Sequence, residues 1–389
     1  MSELRPDTLA VRGGLARSGF DETSEALFLT SGYVYASAQE AEAAFKDEID
    51  RFVYSRYGNP TVAMFQDRMR LLEGAQACFA TATGMSAVFV ALAALLGKGD
   101  RVVSARGLFG SCFVILDEIL PRWGVETVFV DGSDLEQWRA ALAEPAAAVF
   151  FESPSNPMQE LVDIAAVCEL AHGAGAKVVV DNVFGTPVFS KPLEQGADVI
   201  VYSATKHIDG QGRTLGGAIL GTADFINGPV KNLMRHIGPS MSPFNAWVLL
   251  KGLETLSLRV ERMAASALEL ARALESHPKV SRVNNPWLES HPQHDLAKRQ
   301  MYGGGTVVTF ELVGGKNEAF AVMNALEIVD ISNNLGDAKS MITLPATTTH
   351  RRLGEAGRLA VGITDGVLRV SVGLEDVRDL REDFQHALA

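Results

Sequence analysis

A lysine in a turn after an apolar run is the first candidate for chemistry in this sequence. The run 197–202 has the length and composition of a buried β-strand, and the turn after it reads Ser203-Ala-Thr205-Lys206. A lysine in a loop is usually solvated, but here two hydroxyls accompany an amine that can bond covalently to a carbonyl carbon. Because open α/β sheets bind ligands at the carboxyl ends of their strands, this turn is predicted to form a ligand site.

A second apolar strand, Lys177-Val-Val-Val-Asp181, ends in an acid. An aspartate fixed at such a strand end is the group that pyridoxal 5'-phosphate (PLP) needs beside its pyridine nitrogen in order to act as an electron sink. A strand ending in Asp, followed by a strand leading into Ser-x-Thr-Lys, therefore predicts PLP as the cofactor. Lys206 and Asp181 are the predicted catalytic residues, and Ser203 and Thr205 are predicted to bind the cofactor phosphate.

With these motifs the sequence resembles the fold-type I PLP enzymes of cysteine and methionine metabolism, a family that includes cystathionine synthases and lyases, methionine γ-lyases and homoserine-ester sulfhydrylases. The resemblance runs from about Thr30 to the C-terminus. It implies an α/β, aspartate-aminotransferase-like fold with a large, mostly parallel sheet domain and a smaller α+β domain. The expected divisions are an N-terminal arm at 1–60, a PLP-binding domain at 61–255 and a C-terminal domain at 256–389.

Length and composition agree with a soluble enzyme. The chain has 389 residues, a length that allows two or three domains with separate cores. Its residues are 47% hydrophobic and 21% charged, which is ordinary for a soluble globular enzyme. A net charge of −12 argues against a nucleic-acid or anionic-membrane partner, since either needs a basic surface. No apolar run reaches a membrane span, the N-terminus lacks signal-peptide features, and the three cysteines contain no C-x-x-C, so we expect a cytoplasmic protein.

Two segments that precede the catalytic turn are predicted to bind the cofactor phosphate. Gly84 and Met85 follow a strand-like run and begin the apolar helix 87–96, so their free N–H groups and the helix dipole form an anion site. The arm ends in Tyr54-Ser-Arg56-Tyr-Gly-Asn-Pro, which is strong turn chemistry before a helix. The family resemblance implies that Tyr54 and Arg56 reach the phosphate in a neighbouring subunit. A homo-oligomer, in this family usually a dimer of dimers, is therefore expected.

The turn Gly107-Leu-Phe109-Gly110-Ser111 differs from the common family pattern. The family usually has a tyrosine at the position of Phe109, where the ring stacks on the pyridine. Methionine γ-lyases have a reactive cysteine where Ser111 stands. These departures argue against a lyase and resemble the sulfhydrylase branch.

Three residues are predicted to bind the amino-acid substrate. The resemblance places Asn156, in Ser-Pro-Ser-Asn-Pro, beside the cofactor; Ser340 lies in a Leu-Gly-x-x-x-Ser segment of the C-terminal domain. Arg369 corresponds to the arginine that pairs with the substrate α-carboxylate, for which a planar guanidinium is suited because it forms two parallel hydrogen bonds. Without the resemblance, a plain turn would explain Asn156 equally well, and an edge-strand charge would be the favoured explanation of Arg369.

Coarse patterning supports this architecture. Strands alternate with helices from about 75 to 220, which predicts crossover connections in a mostly parallel sheet. One long helical pattern, 246–277, leads into the C-terminal domain, where the run 305–312 is strand-like and 375–388 forms an amphipathic helix.

The resemblance to the sulfhydrylase branch implies γ-replacement on O-succinylhomoserine by sulfide, giving homocysteine for methionine biosynthesis. Cystathionine γ-synthase and O-acetylhomoserine sulfhydrylase remain as alternatives, and methionine or cystathionine γ-lyase is a more distant one. A succinyl ester has a terminal carboxylate that an acetyl ester lacks, so a basic residue should bind it. Arg106 and Arg213 are the candidates from sequence position.

Functions of two other classes fit the sequence less well. Ser203-x-x-Lys206 also matches penicillin-recognising acyl enzymes, but their Ser-Asp-Asn and Lys-Thr-Gly motifs do not occur in the chain. A non-catalytic protein that merely carries the cofactor would have no need for Asp181, Lys206 and Arg369 together. The glycines at 210, 212 and 216 miss the dinucleotide fingerprint, and zinc-ligand spacings do not occur, so neither NAD nor a metal is expected.

Overall fold

The computed structural model describes residues 4–389. Its first part contains a seven-stranded sheet and the helices around it. The strands are β1 Ala77–Thr81, β2 Arg101–Ala105, β3 Glu126–Val130, β4 Ala148–Glu152, β5 Lys177–Asp181, β6 Val199–Ser203 and β7 Gly217–Gly221. The helices are α1 Pro6–Arg12, α2 Ala38–Phe45, α3 Pro60–Glu73, α4 Gly84–Leu95, α5 Gly110–Val114, α6 Leu135–Ala141, α7 Ile164–Gly173, α8 Thr186–Phe189, α9 Ala223–Phe225, α10 Lys231–Ile237, α11 Pro243–Leu253 and α12 Leu256–Glu275.

The remaining residues form a smaller layer. Its strands are β8 Val280–Asn284, β9 Val307–Leu312, β10 Asp330–Ile331, β11 Met341–Thr343 and β12 Val367–Ser371. Its helices are α13 His294–Gln300, α14 Gly315–Ala325, α15 Gly354–Leu359 and α16 Val377–Ala387. Short π-helical turns continue α5 (Ile115–Ile119) and α9 (Ile226–Val230), and 3-10 turns occupy Leu120–Trp123, Pro192–Gln195 and Arg351–Leu353.

The large sheet has the order β1-β7-β6-β5-β4-β2-β3, and its strands run parallel except β7, which is antiparallel to both neighbours. β4 and β7 are buried along their whole length because helices cover both faces of the sheet, as parallel strands require. The predicted mostly parallel α/β fold is confirmed. Because the parallel strands point the same way, their carboxyl ends meet at one edge.

Helix starts follow local capping chemistry. Asn59 accepts a hydrogen bond from the Thr61 N–H at 3.0 Å, Pro60 occupies the first turn of α3, and Gly74 ends the helix at φ +70°. This agrees with the helix start at Thr61 that the Gly-Asn-Pro turn predicts. At α4, the Thr83 hydroxyl accepts from the Ser86 N–H at 3.1 Å, so the helix begins directly after β1.

The predicted long helix over 246–277 is wrong in one respect, because the structure divides it into α11 and α12. The Gly252 carbonyl, which would continue the helix, instead accepts hydrogen bonds from the Arg259 side chain at 2.8 Å and from the Thr255 N–H. Thr255 leaves helical geometry at φ −119°, ψ 13°. The Gly252 carbonyl is thus bonded by Arg259 and Thr255, although the hydrophobic periodicity predicts a continuous helix here.

Helix α12 joins the two layers. Leu256 and Val260, near its start, pack into the core beneath the large sheet, whereas Leu270 and Leu274 pack against the smaller sheet. That sheet has the order β10-β11-β12-β9-β8, with a parallel pair β10–β11 and antiparallel pairs elsewhere. The smaller layer is therefore the expected α+β unit.

The N-terminal segment is attached to its own chain. The Arg68 guanidinium donates to the Gly13 carbonyl at 2.8 Å, and Glu25 pairs with both Arg68 and Lys251 inside the protein. Gly13 and Glu25 are therefore held against α3 and α11 of their own chain. Among the described residues, no helix combines the length and the apolar character needed to cross a membrane.

Candidate active site

A cavity of about 250 Å³ lies at the carboxyl edge of the large sheet. The ends of β4, β5 and β6 contribute Glu152, Asp181 and Ser203, and the start of α4 contributes Gly84. Arg369 closes the opposite side from β12 of the smaller sheet. The cavity therefore lies between the two layers, where elements from both converge.

Lys206 projects into this cavity from the turn after β6. Its ammonium group donates to the Asn334 side-chain carbonyl at 2.6 Å. Burial, and then the positive charge of Arg369, lowers the pKa of Lys206 to about 8. An amine with that pKa has a substantial neutral fraction at physiological pH, and the neutral form is the nucleophile.

Two carboxyl groups lie side by side next to the cavity. Asp181 and Glu152 face each other in the register of β5 and β4. Burial raises the pKa of Asp181 to about 7, although the Val183 N–H that it accepts at 3.0 Å favours the ionised form. Burial, reinforced by the charge of Asp181, raises the pKa of Glu152 well above its ordinary value. The deeper Glu152 is thus the member of the pair that keeps a proton, and Asp181 is the one that ionises.

Glu152 was not among the residues predicted from sequence. One carboxyl oxygen accepts the Phe109 N–H at 2.7 Å, which fixes the turn between β2 and α5 on the rim of the cavity. The signal was present in the sequence, because Glu152 ends an apolar strand in the same way as Asp181 does.

The start of α4 forms an anion cradle with the turn after β6. A Cβ atom on Gly84 would lie 2.5 Å from Cβ of Ser203, so only glycine permits this approach. Met85 and Ser203 also line the cavity. The Thr205 hydroxyl exchanges hydrogen bonds with the backbone of Gly216, at 3.1 Å from its N–H, which fixes the turn. The cradle has the backbone donors and helix dipole that bind a phosphate.

Arg369 is a buried cation that has hydrogen-bond partners but no paired acid among residues 4–389. Its guanidinium donates to the Asn156 side-chain carbonyl at 3.0 Å and to the main-chain carbonyls of Asn333 and Asn334 at 2.9 and 3.1 Å. Its Nε has no partner in the described part of the chain. Burial lowers its pKa to about 10. A buried guanidinium held by neutral oxygens, with donor capacity left over, fits a bound carboxylate.

Asn334 is a further residue that the sequence interpretation missed. It joins Lys206, through its side chain, to Arg369, through its carbonyl. The predicted Ser340 lies six positions on and is not part of the cavity lining. Its hydroxyl donates to Glu375 at 2.8 Å and accepts the Gly373 N–H, so it organises the turn after β12. Substrate binding by Ser340 stays a prediction without geometric support.

Phe109 and Cys112 complete the wall next to Glu152. The thiol of Cys112 and the carboxyls of Glu152 and Asp181 lie within 4.8 Å of one another, a spacing that could hold a metal ion. Burial raises the pKa of the Cys112 thiol and the pKa of the Glu152 carboxyl well above their ordinary values. Protonated thiol and carboxyl groups are poor metal ligands, so this cluster is better assigned to the cavity wall.

Four predicted residues lie away from the cavity of their own chain. Arg56 donates to the Arg235 carbonyl and stacks over Tyr57, with Tyr54 beside it. Arg106 donates to the Phe129 carbonyl at 3.2 Å, and Arg213 is held by the buried Asp209 at 2.9 Å. The positions of Tyr54 and Arg56 leave their role in a neighbouring subunit a prediction. Arg106 and Arg213 do not line the cavity.

Comparison with known proteins adds an independent observation. Residues 7–389 match the family described as "Cys/Met metabolism PLP-dependent enzyme". The chain belongs to this family. The family resemblance and PLP as the cofactor, both predicted from the sequence, are thereby confirmed.

Individual relatives of this family cover nearly the whole chain. O-succinylhomoserine sulfhydrylase of Mycobacterium tuberculosis is 65% identical over 98% of this chain and 95% of its own, and that of Pseudomonas aeruginosa is 48% identical over the same shares. Cystathionine γ-synthase from Xanthomonas oryzae has a TM-score of 0.94 at 32% identity, covering 99% of this chain and 98% of its own. A Campylobacter jejuni protein assigned as an O-acetylhomoserine (thiol)-lyase has a TM-score of 0.95 at 30% identity, covers 99% of this chain and 100% of its own, and carries a pyridoxyl-lysine.

The residues of this cavity fit the family's cofactor. An amine with a lowered pKa, an ionisable acid at the end of the neighbouring strand and an anion cradle closed by Gly84 correspond to the aldehyde, the ring nitrogen and the phosphate of PLP. Lys206, Asp181 and the start of α4 are the groups that would hold it. The unpartnered Nε of Arg369 leaves a place for the carboxylate of an amino acid beside it.

Proposed function

We propose that this protein catalyses γ-replacement on O-succinylhomoserine, with sulfide as the nucleophile and homocysteine and succinate as products. The observation that carries the proposal is the 65% identity, over 98% of the chain, to an O-succinylhomoserine sulfhydrylase. The named methionine γ-lyases are more distant, at 36% identity or less. Phe109 and Ser111, which differ from the lyase pattern, support the same choice.

The bound cofactor supplies an electron sink that makes the protons on the carbon chain of an amino acid acidic. Lys206 then serves as the base that removes and returns these protons, for which a pKa of about 8 is well matched to neutral solution. Asp181 would pair as an anion with the ring nitrogen. Gly84, Met85, Ser203 and Thr205 would hold the phosphate at the α4 cradle.

Substrate orientation is the task of the opposite wall. Arg369 holds the α-carboxylate, and Asn156 fixes the guanidinium by accepting one of its N–H groups. Asn334 accepts a hydrogen bond from the free Lys206 ammonium through its side-chain oxygen, so it can hold this side chain whenever the amine is not bonded to the cofactor. Phe109, which lines the cavity, would pack on the cofactor ring. The γ-carbon exchanges its C–O bond for a C–S bond, the ester oxygen leaving with succinate and the sulfur entering from sulfide.

We also propose a domain division and an assembly. A PLP-binding domain at 61–255 and a C-terminal domain at 256–389 meet at the start of α12. The arm that reaches a neighbouring subunit is the part of 1–60 that follows Glu25. It exposes large apolar side chains, Val34 at 91% and Phe45 at 64%, which a second copy would cover. Tyr54 and Arg56 then contribute to the partner's phosphate site, in a dimer or dimer of dimers. Three buried free cysteines support a reducing, cytoplasmic location.

A product analysis tests the reaction. The cofactor-loaded protein is incubated with O-succinylhomoserine or O-acetylhomoserine, each with sulfide or with cysteine, and the products are identified by mass spectrometry. Homocysteine formed mainly from the succinyl ester and sulfide is the expected result. Cystathionine as the main product would assign the protein to the synthases, 2-oxobutanoate alone to the lyases, and failure to turn over either ester would refute the proposal. Lys206→Ala is the matched inactive control.

A further inference from the structure

A second groove of about 490 Å³ adjoins the active-site cavity. The two share Met85, and the cavity wall continues directly from Phe109 to Gly110 and Ser111 in the groove. The far side of the groove is the segment after β11 that contains Thr349 and Arg352. The groove therefore begins where the cavity wall at Phe109 ends, and α5 forms part of its lining.

The segment with Arg352 is held tightly against the start of α5. A Cβ atom on Gly110 would lie 2.7 Å from the Thr349 carbonyl oxygen, so only a glycine allows the two to touch. The His350 side chain reinforces this position, because its Nε2 lies 3.1 Å from the Asn156 carbonyl. Arg352 thus has a backbone position fixed relative to the active site.

Arg352 is the one basic side chain among the described residues that line this groove. Its guanidinium pairs with Glu118 at 3.3 Å, and the two side chains are 70% and 42% exposed. An exposed pair of this kind is weak, so the guanidinium can exchange Glu118 for another carboxylate at little cost. The Ser111 hydroxyl lies on the same groove wall and offers a further donor.

The two arginines that sequence position suggested for the distal carboxylate, Arg106 and Arg213, are bonded to other groups of the protein. Arg106 donates to a main-chain carbonyl, and Arg213 is tied to the buried Asp209 through its backbone N–H and its guanidinium. Neither lines the cavity or the groove. Withdrawing Arg213 would leave Asp209 as an unpaired buried charge, which is unfavourable.

We propose that Arg352 binds the distal carboxylate of a dicarboxylic acyl group and so makes the enzyme prefer a succinyl over an acetyl ester. This inference rests on the proposed function and names a residue that sets its substrate preference. The acyl group would extend past Phe109 along α5, where its terminal carboxylate replaces Glu118 on the guanidinium. An acetyl ester lacks this terminal carboxylate and gains nothing from Arg352.

Steady-state kinetics with both esters and sulfide test the inference. Arg352→Ala is expected to raise KM for O-succinylhomoserine by about twofold to fivefold, as loss of an exposed ion pair predicts, and to leave kcat and the acetyl-ester KM unchanged. Arg352→Lys should retain part of the preference. Glu118→Ala should shift the succinyl-ester KM the opposite way, because it removes the competing carboxylate. Arg351→Ala, an exposed neighbour outside the groove lining, is the control.

The outcomes separate this inference from the proposed function. Equal losses on both esters in Arg352→Ala, or an unchanged succinyl-ester KM, would overturn the role of Arg352 while leaving the sulfhydrylase reaction in place. A wild-type protein that turns over neither ester, or only the acetyl ester, would overturn the proposed reaction and this inference with it. Succinate inhibition gives a second readout: Arg352→Ala should weaken inhibition by succinate and not inhibition by acetate.

Discussion

Replacing Glu152 by glutamine tests the assignment of the proton within the carboxyl pair. Glutamine keeps an oxygen to accept the Phe109 N–H and places an N–H₂ where a protonated carboxyl has its O–H. It is therefore a close neutral mimic of the state that the structure assigns to Glu152. If that assignment is right, the substitution removes the ionisable group at position 152 and keeps the hydrogen bond from the Phe109 N–H.

The magnitude follows from proton linkage. The raised pKa of Glu152 means that the native cofactor-free protein keeps a proton that the unfolded chain, with an ordinary pKa of 4.5, releases. The native state then binds more protons than the unfolded state, so the free energy of unfolding falls as pH rises, by about 1.4 kcal/mol per pH unit for this group. The fall begins near pH 4.5 and continues to the native pKa. Asp181 adds a similar contribution up to about pH 7.

Urea denaturation of the cofactor-free protein between pH 5 and 7.5, at one fixed protein concentration, measures this slope. Over the pH interval in which native Glu152 keeps its proton, Glu152→Gln should reduce the decline of the unfolding free energy by up to about 1.4 kcal/mol per pH unit relative to wild type. Glu169→Gln, on the exposed face of α7, controls for the loss of a negative charge. Parallel wild-type and Glu152→Gln slopes would show that Glu152 is ionised in the native state, contrary to the reasoning.

Three further predictions concern the cofactor and substrate groups. The neutral amine of Lys206 is the reactive form, and the pKa of this lysine is about 8. The rate at which PLP attaches to the cofactor-free protein, followed by absorbance, should therefore rise about tenfold per pH unit below pH 8 and level off above it. A flat profile from pH 6 to 9 would contradict the lowered pKa. Arg369→Ala should lower kcat/KM at least about a hundredfold through loss of two charge-assisted hydrogen bonds, with PLP affinity retained; a loss of PLP binding instead would place Arg369 in the cofactor site. The inactive Arg56→Ala and Lys206→Ala proteins can be dissociated into subunits, mixed and reassembled. Part of the activity should return, because a hybrid dimer has one active site with both groups intact. If verified hybrid dimers recover no activity, the arm does not act across the interface.

Much of the fold and part of the candidate site follow from short stretches of sequence. Alternating strand and helix patterns predicted the parallel sheet, and the Gly-Asn-Pro turn predicted the start of α3. Asp181 and Lys206 could be recognised because each directly follows a strand-like run, and the carboxyl ends of parallel strands share one edge. These inferences depend on the chain within a few residues of each position, so sequence neighbours suffice to make them.

Other features depend on packing between distant segments. The β4–β5 register decides that Glu152 stands beside Asp181, and the approach of the smaller layer decides that Asn334, rather than Ser340, meets Lys206. The break between α11 and α12 follows from where the Arg259 side chain lies, and Arg352 reaches the groove because Thr349 packs on Gly110. Sequence spacing in a loop does not specify which of several polar side chains points inward. Only the tertiary structure decides that, because burial and contact distances are set by residues far away along the chain.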